Sequence, residues 1–242
     1  MEQIQQQLSS LRLHGMSRTW QSLLETRKLH ELSLSDGLQL LLHAEEEERD
    51  NRRFIRLRKT ASFRYQASIE ELKYNAARGL DKSLISRLAT ADYIRKGESV
   101  LITGATGSGK SFLASALGHH ACGKGFKVAY FNMQKLMLRT KMARAEGTLI
   151  KLLERIAKSD LLILDDFGLT HLDQQQQLDF MEMIEDRHGT KSTIISSQLP
   201  VAAWFDVIGE KTIADAILDR LINTSYRIEL KGESLRKKIS NG

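Results

Sequence analysis

The amino-acid sequence predicts an α/β protein, a parallel five-stranded sheet flanked by helices and preceded by a small all-helical region. Three observations predict it. Five short strand-like segments alternate with helix-period stretches from residue 99 to residue 230. The first segment leads directly into a glycine-rich octet. The first ~65 residues repeat their leucines at helical spacing and show no β-type alternation.

The N-terminal region, placed at 1–66, holds Leu8, Leu11, Leu13, Trp20, Leu23 and Leu24 in one periodic segment; Leu34, Leu38, Leu41 and Leu42 open a second, for which Ser35-Asp36 offers a cap. The region from 67 to 242 carries the alternation. Strands are expected at 99–103, 127–131, 160–164, 192–196 and 226–230, with helices at 111–121, 133–144, 148–158, 174–187 and 212–222. The single proline, Pro200, falls in the loop after the fourth strand, and the Gln174 to Gln177 run reads as a solvated helix start.

The octet Gly104-Ala105-Thr106-Gly107-Ser108-Gly109-Lys110-Ser111 fits G-x-x-x-x-G-K-[ST], between the strand Ser99 to Thr103 and a helix beginning near Phe112. Glycines let the backbone turn so that successive N–H groups face phosphate oxygens, and the helix N-terminus adds positive potential. Lys110 is expected to reach the β- and γ-phosphates of a nucleoside triphosphate and Ser111 to ligate Mg²⁺. The expected nucleotide-binding set is Gly104, Ala105, Thr106, Gly107, Ser108, Gly109, Lys110, Ser111 and Phe112. The apolar strand Leu161 to Leu164 then ends in Asp165-Asp166. A carboxylate there emerges beside the phosphate loop, because ligands of open parallel sheets bind at the carboxyl ends of the strands. Asp165 is read as organising Mg²⁺ and Asp166 as polarising the attacking water.

Ser196-Ser197-Gln198, ending the fourth strand, brings short polar side chains to the same sheet edge, with Ser197 taken as the catalytic candidate. Arg220 lies on a helix with no acid three or four residues before it; it reads either as a rim arginine completing a neighbouring subunit's site or as a solvated surface arginine. Arg236 follows the last strand, as a phosphate contact in cis or as an exposed tail residue.

The net charge of +6 is modest, but its distribution is not even. Arg49, Arg52, Arg53, Arg56, Arg58, Lys59 and Arg64 follow the acidic block Glu45 to Glu48. The stretch is an electrostatic footprint for nucleic-acid phosphates, or else a helix face balanced by its acids. Lys135, Arg139, Lys141 and Arg144 are a second basic set with the same two readings. One cysteine, Cys122, excludes an internal disulfide, and no Cys/His cluster has zinc spacing. No secretory segment and no apolar run near ~20 residues points to a membrane, so the cytoplasm is the expected location.

With these motifs in hand, the chain resembles the IstB-like transposition helper ATPases, a branch of the AAA+ P-loop NTPases related to bacterial replicative helicase loaders. The resemblance covers nearly the whole length. It rests on Leu11-Arg12-Leu13-His14-Gly15-Met16, on Leu41 to Glu45 and Arg49 to Arg53 through Ala61-Ser62-Phe63, on the phosphate loop, and on Leu161 to Gly168. It continues in Ile195-Ser196-Ser197 with Pro200 and Trp204, in Leu218-Asp219-Arg220-Leu221 and in Gly232 to Arg236. It implies an ATP- and Mg²⁺-dependent homo-oligomer on duplex DNA with little sequence preference, with Arg220 as arginine finger, Arg236 as second sensor, and a transposase as partner. Two departures stand out. Many relatives carry Glu where this chain has Asp166, and Gln198 stands where relatives often have Asn, which leaves the first sensor open between Ser197 and Gln198. The ATPase part, 67–242, is expected to lack a full C-terminal lid. The competing class is a helicase loader, in which ATP switches the grip of the N-terminal helices on a helicase and single-stranded DNA is the cofactor.

Overall fold

The computed structural model describes residues 2–232 and Ser234. The chain divides into two compact units, Met1–Arg56 and Leu57–Gly242.

The first unit is helical, as expected: α1 (Glu2–Ser10), α2 (His14–Glu25) and most of α3 (Leu34–Ala61). The cap of α3 is Ser33 rather than Ser35-Asp36. Its hydroxyl accepts the Asp36 backbone N–H at 3.1 Å, three residues into the helix, where an N-cap side chain belongs. The sequence stretches around Gly15 and Glu45 meet. A Cβ on Gly15 would lie 2.2 Å from the Ala44 carbonyl oxygen, so only glycine permits this approach of α2 to α3. Glu45, 5% exposed, uses the gap: its carboxylate accepts the N–H groups of Gly15 (2.8 Å) and Met16 (3.4 Å), which otherwise lack partners at the start of α2.

Burial pushes the Glu45 pKa up, but hydrogen bonds from Arg49, Gly15 and Met16 outweigh that and hold it below the ordinary value of 4.5. A depressed folded pKa contributes stability that is present above the unfolded value and lost as pH falls through the folded one. Glu45→Gln should therefore cost about 2 kcal/mol at neutral pH, and the difference from wild type should shrink as pH drops below about 4.5. Thermal melts followed by circular dichroism at both pH values check this; a pH-independent difference contradicts it.

The second unit holds a five-stranded sheet: β1 (Ser99–Gly104), β2 (Val128–Asn132), β3 (Leu161–Phe167), β4 (Ser192–Ser197) and β5 (Ser225–Leu230). The order is β2-β3-β4-β1-β5, and every pairing is parallel. The fully buried runs Val100-Leu101-Ile102 and Leu161 to Leu164 explain why these strands read as continuously apolar: helices cover both faces. Helices α6 (Lys110–Gly123), α7 (Met133–Ala145), α8 (Leu149–Ala157), α9 (Gln174–Glu185) and α11 (Lys211–Ile222) lie where the periodicity puts them. Shorter helices, α4 (Lys82–Ala89), α5 (Asp92–Arg95) and α10 (Trp204–Ile208), are too brief to show a period.

Asp173 caps α9 in a reciprocal box with Gln176, but Gln177 is not solvated. It is 8% exposed and donates to the Leu172 carbonyl at 3.0 Å. Cys122 is a buried side chain of α6, its thiol pushed up to about 12 by burial. Arg187, 1% exposed, ties α8 to β4 by donating to the carbonyls of Ile156, Ser159 and Ser192.

Residues 57–66, expected with the N-terminal helices, fall in the second unit. The reason is Phe63, whose ring lies 4.2 Å from that of His119 and 6.0 Å from that of Tyr130. Gly118 makes room for it, since a Cβ there would sit 2.4 Å from the ring. Helical periodicity runs through 57–61 without interruption, because α3 itself crosses the division, so the sequence carries no break to read.

Candidate nucleotide site

The octet connects the end of β1 to the start of α6, as its sequence requires. Gly104, Gly107 and Gly109 all have positive φ (147°, 80° and 102°), the conformations that let the amides of such a loop face a shared concavity. Lys110 is 5% exposed and donates from Nζ to the Ala105 carbonyl at 2.9 Å, which folds it back over the loop. The Ser108 hydroxyl is buried with no partner among the described residues. An unpaired buried hydroxyl in a phosphate loop is a donor awaiting an acceptor, which fits the loop to a phosphate.

The carboxylates sit in a β-bulge. Pairing of β3 with β4 runs Leu164↔Ile195 and resumes at Phe167↔Ser197, so Asp165 and Asp166 together oppose Ser196. Asp166 takes φ 59°, in the left-handed region that a short acidic side chain tolerates. The bulge lets Asp165 meet Ser111 at the end of the loop while Asp166 turns to Arg64 and Asn132.

Asp165 is fully buried. Its Oδ1 accepts from Ser111 Oγ at 2.9 Å and from the Ser196 hydroxyl; its Oδ2 accepts from Tyr130 Oη at 2.5 Å and from Arg64 at 3.3 Å. Asp166, partly exposed, accepts from Arg64 at 2.8 Å and from Asn132 Nδ2 at 3.0 Å. Burial, with the Asp165 charge and hydrogen bond, pushes the Tyr130 hydroxyl well above its ordinary value, so it stays a donor. Ser111 and Asp165 offer oxygen ligands only, the donor set a hard cation such as Mg²⁺ takes alongside water and phosphate.

Several expectations change. Ser197 does not face the acids: its hydroxyl donates to the Phe167 carbonyl at 2.8 Å and accepts the Leu199 N–H at 3.1 Å, building the turn after β4. Its neighbours reach the site instead, Ser196 through Asp165 and Gln198 by accepting from Thr106 Oγ1 at 2.7 Å. Arg64, expected to track DNA, pairs with both carboxylates.

Arg220 is neither solvated nor unpaired. It is a quarter exposed, bonds Glu185 of α9 at 2.5 Å and the Ala216 carbonyl at 2.9 Å, and keeps a buried Nε without a partner among the described residues. A search of its own helix misses that acid because it comes from another element. Arg236 lies outside the described residues.

In the basic stretch, Arg49 and Arg52 pair with Glu45 and Arg52 also with Glu48, the balanced-face reading. Arg53, Arg56, Arg58 and Lys59 are exposed. On α7, Lys135, Arg139 and Lys141 are exposed, whereas Arg144 pairs with the buried Asp179.

Sequence reasoning missed Tyr130 and Asn132, and within Ser196-Ser197-Gln198 it chose Ser197 where Ser196 is the residue that meets Asp165. The available signal was register: Asn132 pairs with Asp165 across β2 and β3, so polar residues ending β2 had to lie beside the acids.

A parallel sheet in this order, a phosphate loop between β1 and α6 and an acidic strand end beside it give the chain a P-loop nucleotide-binding fold of the AAA+ type. Solved structures agree on the fold. The DnaC helicase loader superposes with a TM-score of 0.58 at 23% identity, over 69% of this chain and 98% of that one. AMPPCP-bound DnaA from Aquifex aeolicus gives 0.59 at 17% identity, over 74% and 54%.

The chain belongs to the IstB-like ATP binding protein family, whose sequence profile matches residues 6–241. A Sinorhizobium fredii protein described as an insertion sequence ATP-binding protein is 41% identical over 95% of this chain and 94% of its own length. One described likewise, from insertion sequence IS1162 of Pseudomonas fluorescens, is 42% identical over 80% and 84%. Among the described residues no helix is long and apolar enough to cross a membrane.

Proposed function

We propose that this chain is a Mg²⁺-dependent ATPase that assembles on duplex target DNA and prepares it for a partner transposase. The observation that carries the catalytic half is the meeting of Ser111 with Asp165 at 2.9 Å, beside Lys110 in a glycine cradle. Lys110 would neutralise the β- and γ-phosphates. Ser111 and Asp165 would hold Mg²⁺, which supplies charge neutralisation of the phosphate oxygens when bound. Asp166, aimed by Asn132, would orient the attacking water. Asp reaches less far than Glu, so turnover would be slow.

The biological half rests on kinship: relatives matched over nearly their whole length are described as ATP-binding proteins of insertion sequences. A helper of this kind would form a homo-oligomer in which Arg220 leaves Glu185 to complete the next subunit's site. DNA would be held through its phosphates by Arg53, Arg56, Arg58 and Lys59 with Lys135, Arg139 and Lys141, so binding would weaken steeply with salt and show little base preference. Arg49, Arg52 and Arg144 would join only by exchanging their acidic partners for phosphate, and we assign Arg64 to the nucleotide site. Attraction between these basic side chains and the phosphates, repeated along the assembly, would offset the cost of bending the duplex.

Light scattering after size exclusion tests this reading, with random-sequence duplex or single-stranded DNA in ATP plus Mg²⁺, ADP, or no nucleotide. A large assembly is expected only with duplex and ATP. A small species that engages single strands alone would replace this reading with the helicase-loader one.

A further inference from the structure

Arg64 is built into the nucleotide site more firmly than a surface arginine would be. Its neighbours are both anchored to α6: Phe63 fills the notch at Gly118, and the Tyr65 carbonyl is bonded by His119 Nε2 at 3.0 Å. The guanidinium packs 5.5 Å from the Tyr65 ring centre, and the Tyr65 ring lies 6.4 Å from that of Phe112 in the first turn of α6. From this fixed base one nitrogen, Nη1, reaches both Asp165 Oδ2 (3.3 Å) and Asp166 Oδ2 (2.8 Å).

Two adjacent carboxylates, one fully buried, repel each other unless a cation stands between them. Arg64 supplies that cation from the same chain.

We propose that Arg64 is a positioning residue of the ATP site: it acts as the resident counter-cation of Asp165 and Asp166, holding Asp166 in its aimed conformation and competing with the metal for Asp165. The inference rests on the ATPase reading above. It assigns opposite effects to one side chain. Removing the guanidinium leaves a more negative pair of acids, so less Mg²⁺ is needed to support nucleotide binding. The same removal frees Asp166 to turn away from the reacting water, so turnover falls. A residue that merely held the fold together would weaken both.

The test is binding of a fluorescent ATP analogue across a Mg²⁺ titration, with turnover measured in parallel, for wild type, Arg64→Gln and Arg64→Lys. Melting temperatures of each serve as the folding check. Arg64→Gln should lower the half-saturating Mg²⁺ by about three- to tenfold while kcat falls. Arg64→Lys keeps the charge without the forked geometry, and should restore the wild-type Mg²⁺ requirement with only partial recovery of kcat. An unchanged or raised Mg²⁺ requirement in Arg64→Gln overturns the counter-cation role while leaving the ATPase reading intact. Wild-type binding that ignores Mg²⁺ altogether overturns the metal reading of Ser111 and Asp165, and the inference with it.

Discussion

Lys110→Ala is expected to lower ATP turnover by at least ~100-fold and to weaken nucleotide binding, with little change in melting temperature. The lysine is 5% exposed at the start of α6, and its ammonium bonds the Ala105 carbonyl at 2.9 Å. That bond is local to the loop, so the fold does not depend on it. Charge builds on the transferring phosphoryl oxygens in the transition state, and a preorganised ammonium stabilises that charge without reorganisation. Turnover retained within about threefold of wild type would show that the loop does not hold the reacting phosphate.

The second large effect is expected at Arg220. Arg220→Ala should bind ATP as wild type does and yet lose most hydrolysis, because a finger acts on the transition state of another subunit's site. Loss of the partly exposed pair with Glu185 costs the fold little. The proposed shared site makes a further demand. Subunits carrying Lys110→Ala offer an intact Arg220, and subunits carrying Arg220→Ala offer an intact loop. Mixing the two inactive proteins in equal amounts should recover about a quarter of wild-type turnover, the share of interfaces that join an intact loop to an intact arginine. Full hydrolysis by Arg220→Ala alone would refute a shared site; a mixture as inactive as its components would do the same.

The two halves of the site differ in how far the sequence discloses them. The phosphate loop and Asp165-Asp166 are legible because local chain geometry dictates them: glycines for positive φ, an apolar strand before a carboxylate, a helix after the lysine. The strands and long helices of the second unit are legible for a related reason, since each is long enough to show its period. What escapes is set by packing between distant segments. Ser196 faces Asp165 while Ser197 faces away, and only the bulge in β3, which puts two residues of β3 opposite one of β4, decides which hydroxyl points where.

Arg64 escapes for the same reason. In the sequence it is the last of a basic run, and nothing local separates it from Arg58 or Lys59. Its role depends on Phe63 finding Gly118, 55 residues away in the chain. Arg220 is the converse case, since its partner Glu185 lies on a helix that only the packing of α9 against α11 brings near. Glu45 shows both sides: its helix is evident from periodicity, but its task of closing the start of α2 follows from the approach that Gly15 permits.

ATP hydrolysis at the site formed by Lys110, Ser111, Asp165 and Asp166, coupled to DNA, is what the proposed function stands on. Steady-state phosphate release by the wild-type protein tests it at once, with and without duplex DNA, at saturating ATP, in Mg²⁺ or in EDTA. Slow release that requires Mg²⁺ and rises when duplex is added is the expected result. Release that persists in EDTA, or tight ATP binding with no release under any of these conditions, would contradict it.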